Sequence, residues 1–393
     1  MTGSDLLMLV FLLLPLAFFS GWWIARKKSL NNSQEGVSAL NPDYFKGLNY
    51  VLNEQPDKAI EVFVKMLEVD SETIETHLAL GNLFRRRGEV DRAIRIHQNL
   101  IARPNLDKEQ RSLALLELGM DYMRSGLLDR AEGLFKQLVE MDAHTIQASR
   151  QLLSVYQQEK DWDNAIFYAR KLEAISGQDY DPIIAQYYCE LSTENLAENN
   201  EKEARENLRK ALNRDPRCVR ASILEAEFLQ TQNKYKSALK AYKRIEKQDA
   251  DYISEIIEPV ISCYRHLDQM NEAQQYLMDL LNKYSGISCL LSLTELIIED
   301  RGADEGLKFI SSQLSERPTV RGVDRLLEYV MQQAEGEIYN NLTAIKELTG
   351  KLLSDNSIYR CQQCGFDAKL LHWQCPGCQN WASVKPVYGV KGE

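Results

Sequence analysis

Alanine recurs along this chain at a steady interval. Ala59, Ala93, Ala131, Ala165, Ala204, Ala238 and Ala273 are mostly 34 or 35 residues apart, with two longer steps. Around them the neighbours repeat as well. One copy reads Leu80-Gly81, Phe84, Gly88, Ala93, Leu100, and the next reads Leu118-Gly119, Tyr122, Gly126, Ala131, Phe135, Leu138. Gly81 precedes Ala93 by twelve residues, and Gly119 precedes Ala131 by the same twelve. An earlier copy gives Gly47, Tyr50, Ala59 and Phe63, and later ones give Tyr156, Tyr242, Tyr264, Leu293 and Pro318. This is the tetratricopeptide period, in which each unit is a helix–turn–helix pair. A glycine on the first helix admits its partner, and the marker alanine fills the tight crossing. One pair cannot bury its own apolar face, so the pairs must stack. The expected fold class is therefore all-α: a tetratricopeptide superhelical solenoid over residues 41–353, with about eight to nine repeats whose last members are degenerate.

Such arrays bind other proteins along the face lined by their first helices. In the second copy that register turns Asn82, Arg85 and Arg86 inward, and in the third Met123 and Arg124. A basic wall of this kind could hold an acidic or C-terminal peptide by charge-assisted hydrogen bonds. The alternative is a solvated arginine cluster that keeps the surface soluble.

A different element closes the chain. Tyr359-Arg360-Cys361-Gln362-Gln363-Cys364-Gly365 is followed by Cys375-Pro376-Gly377-Cys378, and ten residues separate Cys364 from Cys375. Two Cys-x-x-Cys turns at this spacing present four soft thiolates to one ion, a set that selects zinc or iron. Cys361, Cys364, Cys375 and Cys378 are the expected ligands, within a small domain at 354–393. His372 lies between the turns, but four cysteines already complete a tetrahedron. Two disulfides are the competing reading. The other four cysteines, Cys189, Cys218, Cys263 and Cys289, fall in separate helical copies without metal spacing, as buried reduced thiols of a cytosolic fold do.

The N-terminal end reads as a membrane anchor. Residues 6–25 are an almost unbroken apolar run that ends near Trp22 and Trp23. About twenty helical residues span a bilayer core, and Pro15 is tolerated there. Arg26, Lys27 and Lys28 follow at once, while the residues before the run carry Asp5 and no cation. Positive charge stays in the cytoplasm, so the body is expected to be cytoplasmic. A cleaved signal peptide would carry its charge before the run. The expected division is an anchor at 1–28 and a polar linker at 29–40. At roughly 3.3–3.6 Å per residue this linker reaches about 40 Å, so the array stays near the membrane.

Charge and motif content exclude other classes. The chain carries a net charge of −10 with a pI near 5.3, which disfavours nucleic acid as a partner. The five histidines are scattered, and the sequence holds no phosphate loop, nucleophile elbow or zinc-protease helix motif. The chain reads as a binding protein, not an enzyme.

The order of parts is specific. An anchor ending in Arg-Lys-Lys, a tetratricopeptide array, the run from Tyr359 to Phe366, and Trp373-Gln374-Cys375-Pro376-Gly377-Cys378 together resemble the lipopolysaccharide assembly protein B family of Gram-negative bacteria. The resemblance covers essentially the whole chain. It implies a single-pass protein of the bacterial inner membrane that faces the cytoplasm and regulates lipopolysaccharide synthesis. By that resemblance it presents the lipid A pathway deacetylase to the membrane AAA+ protease FtsH, and it meets an inner-membrane lipopolysaccharide-sensing regulator. It further implies a rubredoxin-type terminal site and hence iron, whereas a purely structural site favours redox-silent zinc. Two features depart from rubredoxins: Gln379 stands where glycine is usual, and the two turns lie much closer together. The alternatives are a scaffold that gathers lipid-synthesis and export proteins without directing proteolysis, and a rubredoxin-like electron carrier. A homodimer remains open, since tetratricopeptide arrays often pair.

Overall fold

The computed structural model describes residues 42–69, 74–284, 286–354, 357–390 and 392–393. The expected anchor and linker lie outside the described residues. Among those that are described, no helix is long and apolar enough to cross a membrane.

The chain divides into two compact units, Met1–Val155 and Tyr156–Glu393. The described part of the first unit is built from α1 (Pro42–Leu52), α2 (Pro56–Val69), α3 (Ile74–Arg87), α4 (Val90–Ile101), α5 (Lys108–Ser125) and α6 (Leu128–Glu140), and it ends within α7 (Thr145–Glu159). The second unit continues with α8 (Trp162–Ser176), α9 (Asp181–Ala197), α10 (Glu201–Arg214), α11 (Val219–Thr231) and α12 (Tyr235–Gln248). A single 3-10 turn, Ala250–Tyr252, then leads into α13 (Ile253–His266), α14 (Met270–Lys283), α15 (Ile287–Arg301), α16 (Ala303–Glu316), α17 (Val320–Met331) and α18 (Gly336–Ser354).

In both units the helices run as hairpin pairs, and the turn inside each pair has one recipe. Glu54, Gly88, Gly126, Lys160, Asn199, Asn233 and Asp268 all have positive φ, and each lies five residues ahead of a marker alanine. The next amide then reaches back to close the first helix: Glu89 to Phe84 O at 2.9 Å, Leu127 to Tyr122 O at 2.9 Å, Asp161 to Tyr156 O at 2.9 Å, Lys234 to Leu229 O at 2.9 Å. This is the Schellman closure, which satisfies a carbonyl that the helix end would otherwise orphan. Only two of these seven turns use glycine, so the sharp reversal is held mainly by the packing on either side.

That packing explains the period. All seven marker alanines are buried, at 0–1% exposure. Opposite them sit Gly47, Gly81 and Gly119, where an added Cβ would lie 2.6 Å from Phe63, 2.4 Å from His97 and 2.5 Å from Phe135. First helices also pack on the next first helix within a unit: α3 on α5, α9 on α11, α13 on α15, α15 on α17. The burial is continuous in the second unit from Val219 to Leu314.

The contrast between two glycines tests this account. In a helix interior, Gly→Ala normally stabilises by about 0.5–1 kcal/mol. Gly133→Ala should follow that rule, because nothing lies within 4 Å of its would-be Cβ. Gly119→Ala should instead cost about 1–3 kcal/mol, since Phe135 has nowhere to go in a filled crossing. Urea unfolding of the two variants reads the sign; stabilisation by both would refute the packing account.

The terminal domain is not helical. Strands β1 (Tyr359–Cys361), β2 (Asp367–Ala368) and β3 (Val384–Pro386) form an antiparallel sheet in the order β2-β1-β3. The molecule is thus mostly helical with a small sheet, where an all-α chain was expected. Two knuckles can face one ion only if the chain returns on itself, and short antiparallel arms do that with the fewest residues.

Candidate metal centre

The two Cys-x-x-Cys turns adopt the same conformation. In the first, Gly365 has φ 76° and its amide donates to Cys361 O at 3.0 Å. In the second, Gln379 has φ 59° and its amide donates to Cys375 O at 2.8 Å. Gln379 therefore takes the left-handed geometry that glycine adopts without strain. The departure from glycine at this position changes the residue but not the turn.

These turns bring the sulfurs of Cys361, Cys364, Cys375 and Cys378 within 4.8 Å of one another. Sγ of Cys361 is 3.7 Å from that of Cys378, and Sγ of Cys364 is 3.7 Å from that of Cys375. Four sulfurs about 2.3 Å from a zinc ion form a tetrahedron whose edges are about 3.8 Å. The donor set thus fits one thiolate-bound metal ion in size. It also fits in chemistry. Desolvation opposes ionisation of Cys361, but the Ser383 hydroxyl and the amides of Cys364 and Gln363 outweigh it and bring the thiol down to about 6. At Cys364 the Phe366 amide favours the thiolate, yet burial and the three neighbouring sulfurs prevail and push it up to about 12. Four thiolates at these distances repel one another, and a cation is what relieves them. The Asn380 side chain donates to Cys378 Sγ at 3.3 Å, a contact of the kind that orients a ligand from outside. His372 stands apart from this group and meets the Phe366 ring edge-on.

Cys361 and Cys375 are buried and Cys364 is exposed, on a domain that is clamped to the helices of the second unit. Tyr252, on the 3-10 turn, stacks on Trp373 with centroids 5.4 Å apart, and its hydroxyl donates to Val384 O at 3.2 Å. Lys385 Nζ reaches Asp249 and Asp251, each at 2.7 Å. The Tyr359 hydroxyl donates to Glu255 at 2.9 Å. On the other flank Trp381 meets Trp162 and Tyr187 edge-on, at 6.2 Å and 5.9 Å. Between the flanks lies the buried Arg220. Its guanidinium sits 6.0 Å from the Trp373 ring and 5.9 Å from the Trp381 ring, and it is paired with Glu190 at 2.8 Å. A cation between two aromatic faces is attracted to both. Sequence reasoning located the cysteines but not these docking residues. The available signal was Trp373 and Trp381 standing beside the second knuckle, each a large apolar surface on a domain too small to bury it.

Of the residues expected to line a peptide groove, Arg85 is committed to its own fold. It pairs with Glu117 at 2.6 Å and Asp121 at 2.9 Å, and it donates to Asn82 Oδ1 at 2.7 Å. Asp121 also meets the buried His97 at 2.5 Å. Arg86 and Arg124 are exposed and Met123 is half-buried. The four cysteines outside the terminal domain are free and buried. Burial pushes the Cys263 and Cys289 thiols up, the latter to about 12, which keeps them protonated and unreactive. One juxtaposition escaped the sequence: Cys189 and Cys218 lie in different helical pairs, yet their sulfurs are 3.9 Å apart.

Stacked tetratricopeptide hairpins that carry a rubredoxin-type four-cysteine domain define a metal-capped repeat protein. The matching family models agree: residues 359–386 match a rubredoxin metal-binding domain, and residues 76–111 and 195–256 match tetratricopeptide repeats. Lipopolysaccharide assembly protein B of Escherichia coli K12 is 37% identical over 388 residues, covering 98% of this chain and 100% of the relative. Its namesake in Haemophilus influenzae is 37% identical over 389 residues, covering 96% and 98%. The chain belongs to the lipopolysaccharide assembly protein B family. Among solved structures, Naa15/Naa10 bound to HypK-THB overlaps 79% of this chain and 46% of that one, at 14% identity and a TM-score of 0.41, too loosely to carry an argument.

Proposed function

We propose that this protein is a membrane-tethered cytoplasmic adaptor that regulates lipopolysaccharide synthesis by delivering the lipid A pathway deacetylase to the membrane protease FtsH. The observation that carries this reading is the 37% identity extending over the entire length of a relative named for lipopolysaccharide assembly. The apolar run at 6–25 with its trailing Arg26, Lys27 and Lys28 supports an inner-membrane tether with the body in the cytoplasm. Stacked helix pairs supply an extended binding surface, as an adaptor requires. An inner-membrane lipopolysaccharide-sensing regulator would be a further partner.

Cys361, Cys364, Cys375 and Cys378 would hold one metal ion, zinc or iron, which supplies a structural crosslink in a domain whose three strands span only three, two and three residues. The chain's own residues do the rest: Tyr252, Arg220, Trp373 and Trp381 transmit the rigidity of that domain to the repeats beneath.

The test is the lifetime of the deacetylase in cells after protein synthesis is stopped. Depletion of this protein should lengthen that lifetime several-fold. An unchanged lifetime would point to a scaffold that gathers pathway proteins without directing proteolysis.

A further inference from the structure

The second unit carries a basic recess in which the fold engages Arg209, Lys243 and Arg244 but leaves the other cations of the two facing helices unused. Helix α12 holds Lys236, Lys240, Lys243, Arg244 and Lys247 against one carboxylate, Glu246, in a chain whose net charge is −10. Lys236, Lys240, Lys243 and Lys247 follow the i, i+4, i+7, i+11 spacing of a single helix face. Across from them α10 presents Lys202, Arg205 and Arg209, at i, i+3 and i+7. Both rows line one open recess of about 1640 Å³.

The carboxylates in that recess are already engaged. Glu206 pairs with Arg209, Glu225 with Arg244, Glu246 accepts from the Tyr276 hydroxyl, and Glu201 accepts from Gln232. Lys202, Arg205, Lys236, Lys240 and Lys247 are exposed and have no ion-pair or hydrogen-bond partner among the described residues. These five cations of the two rows are therefore left without a counter-charge of their own among the described residues. An anion placed between them relieves their repulsion.

We propose that this recess docks an acidic amphipathic helix of a protein partner. The shape selects the occupant. A bilayer surface is flat on this scale and would meet the rims, whereas a helix of about 10 Å diameter enters a groove between two helices. The 14 residues of α12 run about 20 Å, enough to face three to four turns of a partner helix. Half-buried Leu212 and Leu229 on the floor offer that helix an apolar contact below the charged rims. The site stands apart from the proteolysis reading, since it concerns which molecule the recess binds and not the fate of that molecule afterwards.

The experiment uses the full chain in nanodiscs of neutral phosphatidylcholine. The probe is a synthetic amphipathic peptide with glutamates at i, i+4, i+7 and i+11, monitored by fluorescence anisotropy. The triple variant Lys236→Glu/Lys240→Glu/Lys247→Glu should bind at least about tenfold more weakly than the native chain. The control Lys46→Glu/Lys65→Glu/Lys108→Glu makes the same charge change on exposed sites of the first unit and should bind as the native chain does. Affinity should also fall between 0.1 M and 1 M salt, as the Debye length shrinks from about 10 to about 3 Å. Bound peptide should shield Lys236, Lys240 and Lys247 from an amine-reactive label. Equal loss in both variants, or no binding by the native chain, overturns the proposal. So does shielding of these lysines by phosphatidylglycerol nanodiscs without peptide, which would make the recess a membrane contact.

Discussion

Replacing Cys361 and Cys364 together with serine should abolish the metal centre and free the terminal domain from the helices beneath it. Metal measured per chain should fall from about one to near zero. The loss should be large because little else holds this domain: its buried core is Cys361, Cys375 and Val384, two of them ligands themselves. Thiolate-bound zinc contributes an apparent ~10–16 kcal/mol in small finger domains, far above what strands of two or three residues supply. Once the domain unfolds, Tyr252 loses its stacking partner and Arg220 loses both rings. The helices should survive, since their cores are built between neighbouring pairs. A docking loss of ~3–4 kcal/mol corresponds to a melting shift of roughly 6–16 °C for a unit of this size. Calorimetry and limited proteolysis of residues 357–390 read both effects. A double variant that keeps its metal and its melting temperature would sink this account.

Trp381→Ala separates holding the metal from docking the domain. The residue sits beyond the second knuckle and is not a ligand, so the metal content should stay at one per chain. What it loses is the contact with Trp162, Tyr187 and Arg220. Truncating a fully buried tryptophan costs about 3–5 kcal/mol, and Trp381 is half-buried, so about 2–3 kcal/mol is expected. The melting temperature should fall by roughly 4–12 °C while the iron or zinc signal is unchanged. Deacetylase turnover measured in the same variant then tells whether the docked position matters or only the presence of metal. An unchanged melting temperature would show that the aromatic cluster is incidental.

The repeats were legible because their constraint is local and periodic. Ala93 or Ala131 must be small wherever two helices cross, and that need recurs at a fixed interval whatever the partner. The knuckles were legible for a similar reason: a Cys-x-x-Cys turn writes its geometry into four consecutive residues. Gln379 fits the same turn, because the left-handed conformation prefers glycine but does not demand it. What could not be read was every contact made between distant parts of the chain. Trp373 stands out beside its knuckle, but nothing in the sequence marks Tyr252 as the ring it stacks on. Nor does the sequence show that Arg85 pairs with Glu117 and Asp121, which belong to the next pair. The basic recess was missed for the same cause: α10 and α12 belong to different repeats, and their charges add only once the helices lie side by side.

The clamp on the 3-10 turn also has a consequence in time. The hydroxyl of Tyr252 and its acceptor at Val384 are separated by 132 residues of chain. At roughly 5–20 residues per second a ribosome needs about 7–26 s to bridge that interval. Each helical pair can close on its predecessor as it emerges, but the face around Tyr252, Arg220 and Trp162 stays bare until the last knuckle has been made. The terminal domain, made later, is what covers this aromatic surface. A chain that stops early, or whose cysteines find no metal, leaves it open to solvent, and so carries an outward mark of being unfinished.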